Sequence, residues 1–180
     1  MAFLIVVGLI IFWLVATYNS LIRHRNMVRE AWSGIDVQLK RRSELIPNLV
    51  ETVKGYSRHE QQLFENIVDT RSKSIQAGLI PEKLTTENQL TGMIKHLFAI
   101  AESYPELKAN QNFLELQRQL VEIEDQLQYA RRYYNGTVRD YNIQIESFPS
   151  NLAAKTFGFK KEDYFELTLV TERETPEVKL

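Results

Sequence analysis

Residues 1–54 run MAFLIVVGLIIFWLVATYNSLIRHRNMVREAWSGIDVQLKRRSELIPNLVETVK, and how this stretch folds governs the rest. No charged side chain occurs from Met1 to Ile22, and at about 1.5 Å of rise per residue that run covers about 33 Å as a helix, enough for a bilayer's hydrocarbon core. Apolar residues then continue at heptad spacing without a turn signal. Val28, Ile35, Leu49 and Tyr56 form one column and Trp32, Leu39, Ile46 and Val53 the other. One helix therefore leaves the membrane and becomes half of a packed seam in water, with Arg42 as the charged intruder on that seam. Pro47 removes a backbone donor and costs about 3 kcal/mol inside a helix, so the helix either kinks there or stops near Leu45; the kink is expected.

The apolar start reads as an anchor and not as a cleaved signal. Nothing basic follows Met1, and Leu14-Val15-Ala16 puts a bulky leucine three residues before any cut. With no cysteine in the chain a lipoprotein anchor is excluded. Arg23, Arg25 and Arg29, with His24 among them, follow the span, so positive charge favours a cytoplasmic C-terminal side and an outside N-terminus. Lys40-Arg41-Arg42 lies about 27 Å beyond Ile22 on a straight helix, where attraction to the membrane is screened, and is expected as solvated surface.

About 158 residues remain after the span, one domain's worth. A net charge of −1 from interspersed acids and bases gives no footprint for nucleic acid. The absence of cysteine also excludes disulfides and thiolate metal sites. Ser57 to Gln76 carries Leu63, Phe64, Ile67, Val68 and Ile75 on one face, with Gly78 and Pro81 as stop signals. Leu79 to Glu87 reads as a connection. A helix from about Thr86 shows Leu90, Met93, Ile94, Leu97, Ile100, Ala101 and Tyr104, ended by Pro105.

Asn110 or Asn112 then caps a second long helix of about 36 residues, with Phe113, Leu120, Leu127, Tyr134, Tyr141 and Phe148 seven apart and Leu116, Ile123 and Ala130 beside them. Its aromatic column, with Tyr129 and Tyr133 nearby, is expected to be core. Asn135-Gly136 is accepted inside that helix at about 1 kcal/mol, and Pro149 closes it. A short helical turn capped by Ser150 or Asn151 follows, after which Phe157, Phe159, Tyr164 and Phe165 need cover from the bundle or a partner. The fold class is all-α: a transmembrane anchor at 1–22, an antiparallel, four-helix-like bundle at 23–166, and a tail at 167–180 expected to be disordered.

Tyr18-Asn19, AWSGIDVQLKRRSELIPNLVETVKGYSRHE, ESYPELKANQNFLELQ, ARRYYNGTVRDYNIQIESFPSNL and FGFKKEDYFE occur in that order. Through them, over about residues 18–166, the chain resembles the LemA family of bacterial membrane proteins. The resemblance implies a single-pass anchor in the bacterial cytoplasmic membrane with a cytoplasmic antiparallel helical bundle, and it implies no particular chemistry. This chain departs from the family's usual Ala-rich stretch at Ser72 to Leu84, which carries Gly78 and Pro81.

No catalytic, cofactor or metal constellation is legible. The residues three before His24, His59 and His96 are Leu21, Tyr56 and Met93, so the Glu-x-x-His of di-iron bundles is missing. His59-Glu60 is followed by Leu63 where a zincin needs histidine. No cofactor, small-molecule substrate or nucleic acid is expected. Arg23, Arg25 and Arg29 are the membrane-proximal basic residues, and Pro149, Ser150, Asn151 and Leu152 are the candidate partner contact. The functional reading is a membrane-anchored scaffold or adaptor, in contact with the lipid bilayer, that binds protein partners or its own copies. The alternative is a sensor or signalling relay, disfavoured because few residues are expected outside; an enzyme is the third class.

Overall fold

The computed structural model of the protein describes residues 1–57, 60–78 and 80–165. The expected disordered tail at 167–180, like His59 and Leu79, lies outside them. Six helices and no strand occur among the described residues: α1 (Ala2–Lys54), α2 (Gln61–Gln76), α3 (Ile80–Ala101), α4 (Pro105–Lys108), α5 (Gln111–Glu146) and α6 (Ser150–Thr156).

Helix α1 does not stop at Leu45. It runs through Pro47, whose ring is exposed while Ile46, Leu49 and Val50 beside it are buried, so packing offsets the lost backbone bond. Helix α5 likewise continues through Asn135-Gly136, where the flanking Tyr134, Val138 and Tyr141 are all buried. Its start is capped by Asn110, whose Oδ1 accepts the Phe113 amide at 3.1 Å.

Two compact units share these helices. The first comprises Met1–Leu45 and Gln117–Tyr164. Three contacts between α1 and α5 set its register: Arg42 to Glu124 at 3.0 Å, Trp32 to Tyr134 with ring centroids 5.6 Å apart, and Ser20 to Gln144 at 2.6 Å. In each pair the two residue numbers add to 164–166, which is an antiparallel pair in constant register. Val28, Ile35 and Leu39 from one helix and Ile123, Leu127, Tyr134, Val138 and Tyr141 from the other fill its core.

The second unit comprises Ile46–Leu116 and, among the described residues beyond it, Phe165. Here α2 and α3 form a hairpin, and the apolar face expected on α3 is the buried one: Leu90, Ile94, Leu97 and Ala101. Two expectations change. Helix α3 starts at Ile80 and not near Thr86, because Pro81 suits a first helical turn; Thr86 lies inside the helix and donates to the Glu82 carbonyl at 3.1 Å. Helix α2 buries Phe64, Ile67, Thr70 and Ser74, while Val68 and Ile75 face out. That rotation brings the Ser74 hydroxyl to the buried Glu87 carboxylate, a polar group that has to be satisfied.

Candidate functional site

The first unit places its polar chemistry at three levels of the α1–α5 pair. In the middle, Arg42 is only 2% exposed and its Nη1 donates to Glu124 Oε2 at 3.0 Å, while Arg131, also buried, holds Glu124 Oε1 at 3.8 Å. The charged intruder on the seam is thus answered by a carboxylate shared between two guanidinium groups. Of Lys40-Arg41-Arg42, expected as solvated surface, only Lys40 and Arg41 are exposed, because the seam turns Arg42 inward toward that carboxylate. Low dielectric makes such a cluster strong once formed, and removing one member leaves charge in a poorly hydrated place.

At the next level the chain after α6 returns along α5. Asn142 brackets its backbone, with Nδ2 donating to the Glu162 carbonyl at 2.9 Å and Oδ1 accepting the Glu162 amide at 3.0 Å. The Tyr134 hydroxyl donates to the Asp163 carbonyl at 2.9 Å. Burial, aided by the charges of Glu162 and Asp163, pushes the Tyr134 hydroxyl up to about 12. Burial and Glu162 raise Tyr141 as well, opposed by Arg25 and Arg29.

The level nearest the apolar end of α1 holds Arg25, of the membrane-proximal basic set, and the Pro149–Leu152 segment. Arg23 and Arg29 are exposed, and the Arg25 guanidinium lies 5.4 Å from the centre of the Phe159 ring. Tyr18 packs edge-on against Phe157 at 4.9 Å and Phe159 at 5.7 Å. Of the second set, neither Ser150 nor Asn151 caps α6 as expected, since Pro149 holds the N-cap position and no side chain caps that helix; the Ser150 hydroxyl instead donates backward to the Gln144 carbonyl at 2.6 Å and that of Ser147 at 2.9 Å. Pro149 and Leu152 face outward and Asn151 is half-buried. The structure thus brings Arg25 and the Pro149–Leu152 corner to one end of one unit.

Phe148 departs from the aromatic column expected to be core, since α5 ends at Glu146 and leaves its side chain 80% exposed; Tyr129 and Tyr133 are exposed too. Sequence reasoning missed Glu124, Arg131, Gln144 and Asn142. Pairing Arg42 across an antiparallel seam would have pointed to Glu124, whereas Asn142 carries no such signal. No group of three or more His, Cys, Asp or Glu able to hold a metal exists among the described residues.

An apolar, solvent-exposed start of α1, long enough to cross a bilayer and continuous with a packed antiparallel helix pair, defines a membrane-associated all-α protein. The chain belongs to the LemA family, whose sequence model matches residues 31–180. It is similar to magnetosome protein MamQ 2 of Paramagnetospirillum magneticum, at 25% identity over 85% of this chain and 66% of that protein, so the chain spans slightly less than two thirds of that relative's length. MamQ of Magnetospirillum gryphiswaldense is 24% identical over 84% of this chain and 65% of its own. Protein LemA of Metamycoplasma hominis is 27% identical over 85% of this chain and 70% of its own. None of these names denotes an enzyme.

Proposed function

We propose that this protein is a non-enzymatic scaffold, anchored in a bacterial cytoplasmic membrane by α1, whose helical units bind protein partners or other copies of the same chain. The observation that carries this reading is α1 itself, apolar and largely uncovered over its first four turns, then unbroken into a core closed by Arg42 and Glu124. The flanking Arg23, Arg25 and Arg29 favour a cytoplasmic location for everything after the span. Val121, Tyr129 and Tyr133 on the exposed side of α5 supply apolar surface for a partner.

Photo-crosslinking side chains placed singly at Val121 and Tyr129 of the full-length protein in its own cells test this. Discrete higher-mass adducts are expected, either at multiples of the chain's own mass or with one recurring partner. Their absence at both positions refutes the scaffold. For orientation, Lys160→Cys is expected to resist a membrane-impermeant thiol reagent in intact cells and to react after lysis. The unbroken α1 also suits a relay of membrane state into the following unit. Asn26→Pro distinguishes the two, since it interrupts a relay and leaves scaffold adducts in place.

A further inference from the structure

The corner where α5 turns into α6 carries three large apolar side chains with half or more of their surface uncovered: Phe148, Leu152 at 57% and Phe157 at 50%. Its level along α1 follows from the antiparallel register. Gln144 meets Ser20, so Phe148, four residues further on, falls level with Ala16 and Thr17, and Phe157 lies against Tyr18. Thr17 and Leu21 are buried, as expected if α1 is covered by protein at this level.

All these positions lie on the uncharged side of Arg23, the first charged side chain of α1; Tyr18 precedes it by about 7.5 Å of helix. A helix that meets the lipid headgroups at Arg23–Arg29 therefore carries this corner to the headgroup layer or past it. The charges of the corner agree. From Ser147 to Lys161 there are three lysines and no acidic residue; Lys161 is ion-paired to Glu146 at the end of α5, which leaves the exposed Lys155 and Lys160 as the cations of the corner. Exposed apolar rings and a leucine on the same short segment as the exposed Lys155 and Lys160, with Tyr18 alongside, match the chemistry of a bilayer's interfacial layer.

We infer that the α5–α6 corner is seated in the interfacial layer of the membrane that α1 enters, with Phe148, Leu152 and Phe157 directed to the acyl chains and Lys155 and Lys160 to anionic headgroups. The corner then acts as a second foothold that holds the α1–α5 pair at a set angle and depth. This rests on reading α1 as a span, and continuity with that span is what selects lipid over a protein occupant.

The chain has no cysteine, so single cysteines carrying an environment-sensitive fluorophore report depth in full-length protein reconstituted into phosphatidylcholine–phosphatidylglycerol vesicles. Leu9→Cys reports the span, Asn19→Cys the level of the corner on α1, Leu152→Cys the corner, and the exposed Gln126→Cys the aqueous region. The expected result is quenching at Leu152 by lipids with a nitroxide near the carbonyls, to the same extent as at Asn19, with Gln126 unquenched and Leu9 quenched by nitroxides near the chain ends. Quenching at Leu9 with a Leu152 label as unquenched as Gln126 overturns the interfacial seat and leaves the span intact. An unquenched Leu9 overturns the span and the seat with it. A Leu152 label that is unquenched by lipid yet blue-shifted as protein density rises overturns the seat in favour of a second copy. Both Leu152 and Phe148 are exposed, so labelling leaves the core alone, and Phe148→Cys repeats the measurement at an independent position.

Discussion

Glu124→Gln removes the charge that two buried guanidinium groups share while keeping the shape of the side chain. Breaking a fully buried pair by deleting one partner costs about 3 to 5 kcal/mol. Glu124 is itself 31% exposed, and its second contact, to Arg131, is long at 3.8 Å, so the expected loss is smaller, about 2 to 3 kcal/mol. For a chain of this size each kcal/mol moves the melting point by about 2 to 4 °C, which predicts a fall of about 4 to 12 °C. Far-UV circular dichroism of the detergent-solubilised protein measures it. Glu122→Gln is the internal control, because Arg118–Glu122 is a solvent-exposed pair at 3.6 Å worth less than about 0.5 kcal/mol. Added salt is expected to leave the Glu124 effect nearly unchanged, since a buried pair is screened little. A Glu124→Gln protein that melts with the Glu122→Gln control contradicts this account, because Arg42 would then be held equally well without the carboxylate.

Leu127→Ala, at a position with no exposed surface, opens a cavity and is expected to cost about 2 to 5 kcal/mol by denaturant unfolding, against under about 0.5 kcal/mol for Val121→Ala on the outer face. Tyr134 titrates near 12 in the folded state against about 10 when unfolded, so its contribution is fully present below pH of about 10 and is lost as pH rises toward about 12. Alkaline unfolding followed by circular dichroism is therefore expected to shift to higher pH in Tyr134→Phe, even if that variant is less stable at neutral pH through loss of its bond to the Asp163 carbonyl. Asn142→Ala leaves the Glu162 amide without its acceptor and is expected to cost about 1 to 3 kcal/mol, visible as loss of hydrogen-exchange protection at that amide with little change at Leu127.

Much of this architecture is local and so was legible one residue at a time. An uncharged run from Met1 to Ile22, seven-residue columns on both long helices and Asn110 ahead of a periodic stretch each depend on residues within a turn or two of one another. Helix α5 survived Asn135-Gly136 because three neighbouring side chains are buried, and the column spacing already implied that burial. The candidate corner was legible as a composition, but the direction of the Ser150 hydroxyl was not, since it turns back to the carbonyls of Gln144 in the last turn of α5 and of Ser147 just beyond it and not to an amide of α6.

The all-α class, the apolar anchor, the two long helices and the seam positions could all be read from the chain alone, because helical period and backbone chemistry are set by residues three to seven apart. It took the packed helices to show that Arg42 meets Glu124, that α2 turns Ser74 inward and Ile75 outward, that Asn142 clasps the returning chain, and that Phe148 is left bare. Each of those depends on a partner across the unit, and the free energy of burying or exposing a side chain is fixed by whichever group the register brings opposite it.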